Sequence, residues 1–153
     1  MKISFDLDGV IASTNKWVYR MADAIMAAGA PEVYVINMLK EYYASAPLKF
    51  HPSIFMSQDD CGVIVTMRKP EAQEATGDWL QRHSIYLPIW YADPNGEVDW
   101  SNYSTASRRA GILKAEFLAG AHVDVHLDNN PYIVSVLREQ LPEIKIIQIR
   151  KED

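Results

Sequence analysis

Residues 2–10 read KISFDLDGV. Residues 2–7 make a short apolar strand that closes on acid, and Gly9 lets the chain turn sharply at its end. Side chains two apart in a strand point to the same side, so Asp6 and Asp8 start out facing one point. Two carboxylates that close repel unless a cation or a shared proton separates them. An Asp-Gly pair is equally an ordinary turn signal with solvated aspartates. On this stretch alone, turn and site are equally good readings.

Outward from it, the chain alternates strand and helix. Residues 61–66 (CGVIVT) are a second strand, rich in β-branched residues. Residues 71–83 read as a helix with Ala72, Ala75, Trp79 and Leu80 toward the core. Residues 85–91 read as a strand that Pro88 confines to an edge, followed by a turn at Asp93-Pro94-Asn95-Gly96. A helix over 104–119, a strand over 123–127, a helix over 131–140 opened by Pro131, and a strand over 145–149 complete the series. Strands separated by helices predict right-handed βαβ units, hence an α/β fold with a Rossmann-like parallel sheet and helices on both faces.

The interval 12–60 is too long for one crossover. It carries a helical stretch near 14–29, with Trp17, Met21, Ala24, Ile25 and Ala28 at helical spacing, and another near 32–45. It is expected to form a small helical cap inserted after the first strand, within a single domain over 1–153. The aromatics Trp17, Tyr19, Tyr42 and Tyr43 are expected to pack this cap rather than stack a base.

Composition narrows the classes of function. The 153 residues are 48% hydrophobic and 23% charged, ordinary globular values that exclude disorder. The net charge is −5 and is spread evenly, so no basic stripe exists to hold long duplex nucleic acid. Nucleotides and short ends stay open. Cys61 is the only cysteine, which rules out an internal disulfide and a four-cysteine zinc framework. No secretory signal opens the chain and no stretch reaches the length of a membrane span, so a soluble cytoplasmic protein is expected.

Three further features favour a site over a turn. The second strand ends in Thr66, at the same sheet edge as Asp6, with Arg68 just beyond it. Arg68 is read equally as reaching a substrate phosphate or as a surface residue. Lys114 sits in mid-helix among Leu113, Phe117 and Leu118, although most lysines at such positions are solvated. The strand at 123–127 runs into Asp128-Asn129-Asn130-Pro131, an acid that marks either a site or a helix cap. Arg108 and Arg109 lie off the face of Lys114 and are expected in solvent, and His126 is expected to be a core-strand histidine.

The order Asp-x-Asp, Thr, Lys, Asp resembles the four motifs of the haloacid dehalogenase-like hydrolases, mainly the phosphatase branch. FDLDGV (5–10) is the specific match, and the other three motifs gain force from order and spacing. The last two blocks also look like the phosphatase domain of polynucleotide kinase-phosphatases and the small deoxyribonucleotidases. The resemblance implies Asp6 as nucleophile, forming an aspartyl-phosphate, and Asp8 as general acid and then base. It implies that Thr66 holds a phosphoryl oxygen and that Lys114 neutralises the nucleophile and the phosphoryl group. It implies Mg²⁺ held by Asp6, the backbone carbonyl of Asp8, and Asp128. The family often has a second acid near Asp128. Here Asn129 or Asn130 stands in its place, which predicts weaker metal binding.

The expected function is Mg²⁺-dependent hydrolysis of a phosphomonoester, on a nucleotide, another small phosphate ester or a polynucleotide end. The rival is a phosphate-binding or regulatory module on the same fold that has lost turnover. Dehalogenation is disfavoured by the acid pair. Phosphonate cleavage would call for a Schiff-base lysine in the cap, with Lys16, Lys40 and Lys49 as candidates.

Overall fold

The computed structural model describes residues 1–15 and 17–150, apart from the side chains of Trp17 and Tyr19; the expectations for those two aromatics and for Lys16 therefore lie outside the described residues. Among the described residues, strands β1 (Lys2–Asp6), β2 (Cys61–Thr66), β3 (Ile89–Tyr91), β4 (Val125–Asp128) and β5 (Lys145–Gln148) form one sheet. Their order is β3-β2-β1-β4-β5 and every pairing is parallel. The helices are α1 (Trp17–Ala27), α2 (Glu32–Ala44), α3 (Gln73–Arg82), α4 (Tyr103–Ala121) and α5 (Pro131–Gln140). This is the Rossmann-like three-layer arrangement. No helix of the described residues is long and apolar enough to cross a membrane.

Alternation along β1 divides the core. Ile3, Phe5 and Leu7 pack with Ile64, Trp79 and Leu80 beneath α3. Ser4 and Asp6 therefore point the other way, toward the face where Ala110, Ala115 and Leu118 of α4 meet Val134 and Leu137 of α5. Register completes the placement. Phe5 lies opposite Leu127, so Asp6 and Asp128 end level on neighbouring strands. The strand order reverses between β1 and β4, which is where ligands bind in such sheets.

Two expectations need correction. The third strand covers only 89–91, because Ile85 N–H is spent on Leu80 C=O at the exit of α3 and Ser84 turns at φ 56°. Pairing with β2 starts at the Pro88 carbonyl, which accepts from Ile64 N–H, and β3 is the edge strand that Pro88 predicts. In α1 the inward stripe is Val18 and Ala22 with Ile25 partly covered, not Met21, Ala24 and Ala28. Val18 and Ala22 cluster with Val35, Leu39 and Tyr43 of α2 and with Ala72, while Met21 is left 51% exposed.

After β1 the chain turns tightly. Leu7 C=O accepts from the N–H groups of Ile11 and Ala12, and Gly9 takes φ +88°. A β-carbon at Gly9 would run into the side chain of Asn129, so the turn after β1 and the turn after β4 touch only because this residue is glycine. Gly9→Ala is expected to cost at least ~2 kcal/mol, from left-handed backbone strain plus displacement of Asn129. Urea unfolding measures it, and a loss under ~0.5 kcal/mol would show that the turn rearranges freely.

Candidate active site

The three charged groups at the switch point form one buried cluster. Lys114 Nζ donates to Asp6 Oδ1 at 2.8 Å and to Asp128 Oδ2 at 2.7 Å. Lys114 is 1% exposed and Asp128 is fully buried, so these are interior ion pairs. Asp128 Oδ2 also takes the Nε2–H of His126 at 3.2 Å, and Asp128 Oδ1 takes the Asn130 N–H at 3.0 Å. Because Asp128 is the acceptor, His126 carries its proton on Nε2, and Nδ1 accepts the Ser4 hydroxyl at 2.6 Å. His126 is a core-strand residue as expected, but it is also a tether for Asp128.

Two carboxylates face one ammonium here, and burial magnifies the imbalance. Burial, with the charge of Asp128 next, pushes the Asp6 carboxyl up to about 8 against the pull of Lys114. Burial alone would lower the Lys114 ammonium, but the carboxylates of Asp128 and Asp6 hold it well above its ordinary value. Asp128 is likewise penalised by burial, yet Lys114 and the His126 hydrogen bond keep it far below the usual carboxylate range. Burial outweighs the Asp128 contact at His126 and lowers its pKa, favouring the neutral ring.

Asp8 belongs to a second pair. Arg68 grips it with Nε at 3.0 Å from Oδ2 and Nη2 at 2.7 Å from Oδ1, while the Thr14 hydroxyl donates to Oδ1 at 3.0 Å. Arg68 is fully buried. Its guanidinium lies 3.7 Å from the ring centroid of Tyr43 in α2, and Nη1 donates to Thr76 in α3 at 3.0 Å. Arg68 thus engages Asp8 instead of the surface. Thr66 is buried too, and its hydroxyl accepts the Arg68 N–H at 3.2 Å.

Asp6, Asp8, Thr14, Lys114 and Asn129 line a recess of about 60 Å³, which Trp100 and Tyr103 also border. Larger surface hollows, about 650 Å³ beside Trp90 and Phe117 and about 720 Å³ beside Lys40 and Arg82, hold none of the acids and bases of this cluster. Both asparagines, Asn129 and Asn130, also line the recess. Asn130 is structural: its side chain caps α5 at Tyr132 N–H and Ile133 N–H and donates to Ser107. Arg108 and Arg109 are exposed, as expected. Lys40 pairs loosely with Glu74 at 3.6 Å, and Lys49 donates to the Gly9 carbonyl at 3.0 Å. Sequence reasoning missed Thr14 and Thr76, and it placed Tyr43 in the packing of the cap without its contact to Arg68. Of the tether to Asp128, the spacing of 126 and 128 along one strand was the available signal.

No family model matches the chain, and no curated protein sequence matches it. Solved structures do share its fold. It is similar to a chain in the Pnkp1/Rnl/Hen1 RNA repair complex, with 19% identity and a TM-score of 0.55 over 99% of this chain and 43% of that one. It is similar to a chain in a second Pnkp1/Rnl/Hen1 complex structure, with 18% identity and a TM-score of 0.54 over 99% of this chain and 47% of that one. The chain therefore has the fold of part of these proteins and spans less than half the length of the chains it matches.

Proposed function

We propose that the chain is a Mg²⁺-dependent phosphomonoester hydrolase working through an aspartyl-phosphate on Asp6. The observation that carries this reading is the buried Asp6–Lys114–Asp128 cluster at the switch point, one negative charge in excess. Asp6 Oδ1 is bonded to Lys114, and the described residues supply no donor to Oδ2. Attack by Oδ2 would form the oxygen–phosphorus bond as the bond to the ester oxygen breaks and that oxygen takes a proton from Asp8, with Lys114 holding charge at the reacting centre. Asp8 would take the proton of the attacking water in the second half, a task that suits a carboxylate fixed by Arg68 and Thr14.

The donor set fits Mg²⁺. Asp6 and Asp128 offer hard oxygens, and the surplus charge that raises the Asp6 carboxyl is what a second cation would relieve. Among the described residues no cluster of three or more acidic, histidine or cysteine side chains could hold a metal. An ion held by Asp6, Asp128 and the Asp8 carbonyl would complete its shell with water and phosphate oxygens, as Mg²⁺ commonly does. Its contribution would be to neutralise charge on the transferring phosphoryl group. A binding module without turnover is the second reading, favoured by Asn129 at the recess and by the Arg68 grip on Asp8.

Nucleotides and nucleic acid ends are the proposed substrate class, since the structural neighbours come from an RNA repair complex. The test is phosphate release from p-nitrophenyl phosphate, nucleoside 3′- and 5′-monophosphates and a 3′-phosphorylated oligoribonucleotide, with Mg²⁺ and with chelator. Release that requires Mg²⁺ is expected. No release from any ester, with Mg²⁺ still binding in a titration, would favour the binding module.

A further inference from the structure

The recess of about 60 Å³ has room for a phosphoryl group and little else. The rest of any ester must lie outside it, in a space that adjoins it. A groove of about 610 Å³ shares Thr14, Asn15 and Asn129 with the recess and continues past Ser13, Tyr42 and Lys49. Its wall is built, not incidental. The segment carrying Lys49 is stitched to the turn after β1 by Lys49 N–H to Ile11 C=O at 2.7 Å and by Ser13 N–H to Pro47 C=O at 2.8 Å. The Tyr42 hydroxyl in turn accepts the Asn15 N–H at 2.6 Å.

The groove also has a sign. Lys49 is half-buried, one of its three donors goes to the Gly9 carbonyl, and among the described residues no carboxylate lies within ion-pair distance of it. Every other polar side chain of the lining is a neutral hydroxyl or amide. The two larger hollows differ: acids Asp93, Glu97 and Glu116 surround Arg109 in one, and Glu74 and Asp78 accompany Lys40 and Arg82 in the other. On a chain of net charge −5, a cation with no acid beside it, opening off a phosphoryl-sized recess, selects for an anion on the leaving group.

We propose, building on the hydrolase reading, that this groove holds the leaving group of a substrate with a second phosphate, and that Lys49 determines that specificity. A phosphodiester next to a terminal phosphate and the second phosphate of a nucleoside bisphosphate share this chemistry. Lys49 would meet that phosphate with a charge-assisted hydrogen bond while the terminal phosphate sits in the recess.

The experiment compares charged and neutral leaving groups. The substrates are a 3′-phosphorylated dinucleotide with its natural diester, the same compound with a methylphosphonate linkage, a nucleoside 3′,5′-bisphosphate and the 3′-monophosphate. Wild-type protein is expected to prefer the charged member of at least one pair by about tenfold in kcat/KM. The preference should fall to near unity in Lys49→Met and survive in Lys49→Arg. Preference within the dinucleotide pair alone would place the second phosphate in a polynucleotide, and within the nucleoside pair alone in a free nucleotide. Equal turnover of charged and neutral members, or a preference that survives Lys49→Met, would overturn the assignment. The comparison on wild-type protein needs no variant to fold. Should no ester turn over, the hydrolase reading fails separately. The groove is then judged by calorimetric binding of the two dinucleotides, where equal affinities would overturn it and a tenfold preference lost in Lys49→Met would uphold it.

Discussion

Asp6→Asn is expected to lower phosphate release by about a thousandfold or more while raising the stability of the metal-free protein. The loss follows from removing the nucleophile in an arrangement whose other members act only around it. The gain follows from charge. Asparagine keeps a carbonyl oxygen for Lys114, while the buried cluster changes from two carboxylates against one ammonium to a balanced Lys114–Asp128 pair. A residue that costs folding free energy and supplies reactivity is the signature of a functional site rather than a core contact.

The pH dependence gives this result its sign. The Asp6 carboxyl is raised from its ordinary 3.8 to about 8, so between those values the folded state binds more protons than the unfolded one. Its contribution to stability is fully present below pH 4 and is lost as pH rises through 8. The asparagine has no such proton to lose. In chelator, the two proteins should therefore melt together near pH 4 and diverge as pH rises, with the variant ahead by ~1–3 kcal/mol at pH 8. Saturating Mg²⁺ should narrow or reverse the gap, because it stabilises the wild-type cluster and has lost a ligand in the variant. Thermal unfolding at pH 4, 6 and 8 reads all of this. A variant less stable at every pH would mean that Asp6 is an ordinary structural ion-pair partner.

The sheet was legible because its signals are local. Val63, Ile64, Val65 and the apolar run of β1 announce strands by composition, and the Pro131 start of α5 by backbone chemistry. The shortening of β3 was harder to see, since it depends on where the exit of α3 spends the Ile85 N–H. In the site, acid at the ends of β1 and β4 was readable from position alone. The burial of Lys114 was not, because a mid-helix lysine is solvated unless register brings carboxylates to its end. That register, Phe5 opposite Leu127, joins strands more than a hundred residues apart in the chain. The Arg68–Asp8 pair is hidden for the same reason, and its Tyr43 and Thr76 supports come from two further helices. Lys49 lies in a segment with no periodicity at all, so only the closed turn shows what it faces.

Lys114→Met should then be the most damaging single change to the folded state. Methionine is close to lysine in length and volume and carries no charge, so the effect reads the charge and not a cavity. Without the ammonium, Asp6 has no donor left among the described residues, and Asp128 keeps only the His126 and Asn130 contacts. Removing one partner of a buried pair typically costs ~3–5 kcal/mol, a large share of the ~5–15 kcal/mol that holds a domain folded. A melting temperature lower by roughly 10 °C at pH 8 is expected. The double variant Lys114→Met with Asp6→Asn should recover at least ~1 kcal/mol relative to the sum of the single changes, because the asparagine removes the charge that the methionine strands. Strict additivity would mean that Lys114 and Asp6 do not interact in solution as they do here, and the charge balance assigned to the cluster would fall with it.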